Sequence, residues 1–110
     1  MMYLITYQFN PPNPNGTLLV GQNIQNSALW SHYMDNLWII DTSETLEQLN
    51  ARLMHHFQGT DRLMIVALNL WNQYTGWMPP ELWNWIRQRT TANNPQQPPL
   101  LTLPPLPTRD

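Results

Sequence analysis

Residues 29–40 read LWSHYMDNLWII. Two β-rich runs, 29–34 and 37–40, flank Asp35-Asn36, and the stretch reads as a β-hairpin. Its neighbours extend the pattern. Upstream, residues 2–9 alternate as a strand does, with Tyr3, Ile5, Tyr7 and Phe9 on one side and Thr6 and Gln8 on the other. Residues 10–16, NPPNPNG, are turn chemistry. Residues 17–27 are ambiguous: Leu18, Leu19 and Ile24 can share a helical face, while Gly21 and several Asn weaken a helix. Downstream, Asp41-Thr42-Ser43-Glu44 supplies capping side chains ahead of an apolar stripe of Leu46, Leu49, Leu53 and Phe57. That spacing marks the clearest helix in the chain, and Gly59 is its expected stop. Residues 62–70, RLMIVALNL, are apolar on both faces, which predicts a central strand covered on both sides. Pro79-Pro80-Glu81 opens a last helix carrying Leu82, Trp83, Trp85 and Ile86.

The resulting order is β-α-β-β-α-β-α. Two βαβ-type crossovers around a hairpin predict an α+β, ferredoxin-like βαββαβ sandwich with an extra C-terminal helix. Residues 90–110 hold more than half of the 11 prolines, and proline disfavours both helix interiors and central strands. The expected organisation is a ferredoxin-like domain over 1–89 and a disordered, Pro-rich tail over 90–110. Right-handed crossovers put both main helices on one face of the sheet. Yet the strands are apolar on both faces: Met2 and Leu4 oppose Tyr3 and Ile5, Leu37 and Ile39 oppose Trp38 and Ile40, and Leu63 and Ile65 oppose Met64 and Val66. The second face is therefore expected to be buried against another copy in a two-fold dimer. Its alternative cover is the last helix, with its Trp-rich neighbourhood, folded back within one chain.

Charged residues make up 11% of the chain, against roughly 25% in ordinary globular proteins. All 5 positive charges are Arg and the net charge is -2, which argues against a broad footprint for duplex nucleic acid. The absence of Cys excludes a disulfide framework, a thiolate zinc site and a Cys nucleophile. Asn and Gln supply 21 of the 110 residues, so the surface is wetted by neutral hydrogen bonds and association meets little electrostatic resistance. The longest apolar run falls far short of the ~20 residues of a membrane span, and residues 1–20 lack the pattern of a signal peptide. A soluble, cytoplasmic protein with no membrane partner is the expectation.

Few side chains carry chemistry. His55-His56 falls at the end of the capped helix, where a protonated imidazole is favoured by the helix dipole. Adjacent residues cannot form a helical metal pair, which needs i,i+3 or i,i+4 spacing. His32 shares a strand face with Trp30, and Ser31 and Tyr33 point the other way. Asp35, Asp41, Glu44 and Glu47 sit at caps or on a helix surface, and Asp61 with Arg62 reads as a surface pair. No phosphate loop, no G-x-S-x-G and no H-E-x-x-H is present. The 6 Trp, 4 Tyr and 2 Phe are read as core or interface, since stacking platforms for single strands normally flank a basic groove. Pro104-Pro105-Leu106-Pro107 is a minimal PxxP motif.

Several stretches carry a family resemblance: MMYLITYQF at 1–9, Trp30-Ser31-His32-Tyr33-Met34-Asp35-Asn36-Leu37-Trp38-Ile39-Ile40, DRLMIV at 61–66, and Gly76-Trp77 leading into a Trp-bearing helix. Over about residues 1–88 the chain resembles small bacterial proteins of the SinR family. The W-x-H-Y-x-D/N-x-x-W-I-I/V stretch is the most specific part. That family is similar to the ferredoxin-like superfamily of the CRISPR-associated adaptation endoribonuclease, the VapD-type ribonucleases and the GhoS-type antitoxin. The resemblance implies βαββαβ subunits that dimerise through their sheets. In the CRISPR-associated relatives an Asp near the end of the first strand binds the metal. Here that position reads Tyr7-Gln8-Phe9, and a neutral amide supplies neither the anionic charge a hard cation needs nor a base.

These readings converge on a non-enzymatic, homodimeric binding protein with no metal and no cofactor. Its expected interface residues are Tyr7, Gln8, Phe9, Trp30, His32, Tyr33 and Trp38. Its partner is itself, and beyond that a protein or single-stranded RNA or DNA, in a defence, toxin–antitoxin or mobile-element setting. A metal-independent endoribonuclease is the alternative, with His32 as base and Arg62 or Arg52 countering phosphate charge. A structural subunit docking through its Pro-rich tail is the second alternative. The Gln8 reading predicts no magnesium-dependent cleavage of RNA or DNA by the purified protein. Cleavage that requires magnesium and is lost in Gln8→Ala overturns it.

Overall fold

Alternating apolar residues at 3, 5, 7 and 9 can bury only one face of a strand, and the structure places a helical layer on that face. The computed structural model describes residues 1–27, 29–69 and 74–93. The chain divides into two compact units, Met1–Leu68 and Asn69–Asp110. The first contains β1 (Met2–Gln8), α1 (Pro14–Gln25), β2 (Leu29–Met34), β3 (Leu37–Asp41), α2 (Leu46–Leu53), a 3-10 turn (Met54–His56) and β4 (Arg62–Leu68). The strands form one antiparallel sheet in the order β2-β3-β1-β4, an α+β arrangement compatible with a ferredoxin-like fold. Among the described residues no helix is long and apolar enough to cross a membrane.

The core forms where Tyr3, Ile5, Tyr7 and Phe9 of the first strand segment meet Val20 and Ile24 of α1, Trp38 and Ile40 of β3, and Leu49 and Leu53 of α2. The ambiguous 17–27 stretch is α1. It starts at Pro14, inside the expected turn, because Asn13 caps it: the Asn13 Oδ1 accepts from the Gly16 N–H at 2.9 Å. Gly21, which weakens the helix locally, lets α1 lie on the sheet: a Cβ there would stand 3.3 Å from the Trp38 ring. The cap of α2 is Thr45, in a reciprocal capping box with Gln48, rather than a residue of 41–44. Leu46 is 41% exposed and Phe57 lies past the helix, so the buried stripe is Leu49 and Leu53 alone. Gly59 does not stop that helix. Its positive φ of 59° belongs to the turn before β4, where the Asp61 carboxylate accepts from the Gln58 N–H at 3.0 Å.

The largest departure concerns 62–70. An apolar run on both faces predicted a central strand, but among the described residues β4 is an edge strand paired only with β1, with Met64 58% and Val66 40% exposed. On the same non-helical face Met2 and Ile39 are buried. Exposed apolar surface therefore gathers at the sheet edges instead of covering its whole free face. Residue 70, the expected end of this strand, lies outside the described residues.

In the second unit α3 spans Pro80–Asn93, with Leu82, Trp83 and Ile86 buried and Tyr74 stacked on Trp83 at 5.8 Å. The Arg89 guanidinium lies 4.1 Å over the Trp85 ring. The helix runs four residues past the expected boundary at 89, because the first proline of the tail is Pro95. Residues 94–110, including the PxxP motif, lie outside the described residues.

Burial separates two positions of the leucine stripe. Leu49→Ala should lower unfolding free energy by about 2–5 kcal/mol. Leu46→Ala should lower it by about 0.5 kcal/mol or less. Urea denaturation of both variants measures the contrast, and equal losses contradict the packing described.

Candidate functional site

A strand at the sheet edge has one side of its backbone without a ladder partner, so its side chains decide what can approach. Among the described residues β2 pairs only with β3, and its register is interrupted between Ser31 and Met34. Ser31 is opposite Ile39 and Met34 is opposite Leu37, so β2 carries a bulge before the Asp35-Asn36 turn. Leu29, Trp30, Tyr33 and Met34 are exposed at 43%, 43%, 45% and 51%. β2 contains no Asp, Glu, Lys or Arg. Leu18 and Leu19 of α1, the helix that contacts β2, are exposed as well.

Trp30 and His32 share a face, as the alternation predicted. The His32 ring stacks on Trp38 at 3.7 Å and 3°, and Trp30 meets the same indole at 5.5 Å. His32 Nε2 lies 2.9 Å from the Asp35 carbonyl. A carbonyl only accepts, so Nε2–H is the donor in this contact. Beneath, the Trp38 Nε1–H donates to the Tyr7 hydroxyl at 3.1 Å. Burial pushes the Tyr7 phenol above its ordinary pKa, opposed by that indole donor. Tyr7 packs on Phe9 and Phe57, which stack at 4.9 Å. Of the expected interface residues, Tyr7, Phe9 and Trp38 are thus core, between 2% and 7% exposed, whereas Trp30, His32 and Tyr33 are at the surface.

Gln8 is exposed at the end of β1, opposite Arg62 in the β4 register. Both line a groove of about 480 Å³ with Thr6, Asn36 and Met64. Arg62 donates to the Thr60 carbonyl at 2.8 Å. It does not pair with Asp61, whose carboxylate instead accepts from the Asn10 and Gln58 N–H groups and ties the 10–13 loop to the turn before β4. Among the described residues no group of three His, Asp or Glu side chains is placed to hold a metal ion.

Arg52 does not face a substrate. Its guanidinium donates to both oxygens of Glu44, at 3.0 and 2.9 Å, to the Ser27 hydroxyl at 2.8 Å, and to the carbonyl and side-chain oxygen of Asn23. This polar knot joins α1, α2 and the segment between β3 and α2. The hydrogen bonds from Arg52 hold the Glu44 carboxyl below its ordinary pKa, against the upward effect of its burial. Sequence reasoning missed the knot because its members are 8 to 29 residues apart. His32, Arg52 and Arg62 are therefore not assembled by any contact among the described residues.

The knot also decides His56. A guanidinium only donates, so the Asn23 oxygen must face Arg52 and its NH2 must face His56, whose Nε2 lies 2.9 Å away and accepts. Accepting requires a neutral ring. Burial, with the neighbouring His55, lowers the His56 pKa below 6.5. The protonated helix-end imidazole expected from the sequence is therefore not found at His56. The unfolded chain binds this proton more readily than the native one, so the contribution of His56 is complete well above pH 6.5 and is lost as the pH falls through that value. Stability should drop between about pH 7.5 and about pH 5.5, and His56→Gln, which can accept the same hydrogen bond without titrating, should flatten that slope. Chemical denaturation at the two pH values measures it, and an unchanged slope in the variant refutes the assignment.

No protein-family model, curated protein or solved structure matches this chain.

Proposed function

We propose that the protein is a non-enzymatic, ferredoxin-like binding module that self-associates through the β2 edge. One observation carries this reading: an edge strand with four exposed large apolar side chains and no fixed charge. Monomeric proteins usually guard such an edge with Lys, Pro or inward charges, and here only the bulge does so. Trp and Tyr are the side chains that most often anchor interfaces, and Trp30 is held in place by Trp38. A strand without charge does not repel its own copy, and antiparallel pairing of β2 with β2 about a two-fold axis is self-complementary.

Electrostatics favour a protein partner over nucleic acid. Residues 1–68 carry two positive side chains, Arg52 and Arg62, against five negative ones, Asp35, Asp41, Glu44, Glu47 and Asp61, a net -3. With Arg52 held by Glu44, Arg62 is the one guanidinium of residues 1–68 left to meet phosphate, too few on this unit for the counterion release that drives such binding.

Sedimentation should give about 26 kDa, twice the 13.0 kDa chain. Tyr33→Asp combined with Met34→Asp should return the single-chain mass with an unchanged circular dichroism spectrum. A single-chain mass for the parent protein, or a dimer that survives the double substitution, defeats the reading. Labelled single-stranded RNA in EDTA should be neither bound nor cut. Cleavage that His32→Ala abolishes would make the protein an enzyme instead.

A further inference from the structure

The second sheet edge differs from the first. β4 alternates: Leu63 and Ile65 face the helical layer, partly buried, while Met64 and Val66 are exposed on the other side. Among the described residues its outer backbone has no strand beside it. Between α2 and β4 runs a groove of about 290 Å³ lined by Leu46, Glu47, Asn50, Leu63 and Ile65. Its floor is aliphatic, and Leu46 is exposed beside it, although its place in the stripe predicts burial. The Glu47 carboxylate on its rim has no ion-pair partner among the described residues.

We propose that this groove and the outer edge of β4 take an extended peptide that adds to the sheet as a fifth strand and presents, at alternate positions on its groove side, apolar side chains and one basic side chain. Three features fit that occupant. A strand added to β4 gains a ladder of main-chain hydrogen bonds on an edge that is otherwise open. Its period of two places alternate side chains on the side of Leu63 and Ile65, where the groove accepts apolar groups. A lone carboxylate on an apolar rim is complementary to a cation, in a unit whose side chains sum to -3. A second copy of this chain is the poorer occupant, because its own β4 brings a second Glu47 to the same seam. The site does not depend on self-association at β2.

The test is fluorescence anisotropy with a labelled peptide whose groove-side positions are valine, arginine and valine, separated by threonines, the same peptide with glutamate for arginine, and a version interrupted by proline. The valine–arginine peptide should bind saturably, and the other two should bind roughly tenfold more weakly or not at all. Leu46→Arg and Glu47→Arg change exposed side chains, so the fold persists, and each should weaken binding roughly tenfold. The Tyr33→Asp, Met34→Asp protein should bind the peptide as the parent does. The proposal is overturned if the valine–arginine peptide does not bind, or if the proline-interrupted one binds equally well. It is also overturned if Glu47→Arg leaves binding unchanged, or if the β2 substitutions abolish it. A parent dimer that Glu47→Arg converts to single chains overturns it as well, because the groove then holds a second copy.

Discussion

Arg52 presents a planar fork of donors with no acceptor, and every other member of its network is oriented by that fact. Glu44 sits between β3 and α2, Asn23 and Ser27 near the end of α1, and Arg52 itself in the last turn of α2. One side chain therefore clamps both helices of the first unit and the connection that leads into α2. The Arg52 and Glu44 side chains are 24% and 26% exposed. At that depth a lone ion pair recovers little over its desolvation cost, and the value of the pair lies in the added hydrogen bonds to Asn23 and Ser27. The constraint propagates: Asn23 has one permitted amide orientation, and that orientation leaves His56 neutral. The main chain at Glu44 also accepts the Tyr3 hydroxyl at 2.8 Å, which ties the knot to β1.

With the helical layer anchored on one face, the character of the molecule is decided at its sheet edges. The charge-poor surface is rich in Asn and Gln, which hold water but do not repel a neighbour. The two edges then diverge through a few residues each. β2 is apolar and uncharged, which suits a copy of itself. β4 borders a carboxylate-rimmed aliphatic groove, which suits a chain of opposite charge.

Local periodicity made much of the fold legible. The alternation of Tyr3, Ile5, Tyr7 and Phe9, the Asp35-Asn36 turn and the Leu49–Leu53 spacing each depend on neighbours within a few residues, and each names a face correctly. The same logic failed for β4. Apolar residues on both faces of 62–68 report a tendency to be covered, and nothing local says whether a strand is central or at an edge. It failed for Arg52 too, since a cation in a helix reads as a solvated charge until the chain brings Glu44, Asn23 and Ser27 around it.

Of the candidate site, the sequence by itself determined that Trp30 and His32 share a face. This follows from the period of a strand. Tertiary structure alone decided that Tyr7, Phe9 and Trp38 are core while Trp30, His32 and Tyr33 are surface, and that β2 and β4 are the outer strands of the sheet among the described residues. The reason is physical. Exposure depends on which strand lies beside which and on where the helices rest, and both are set by contacts between residues far apart in the chain.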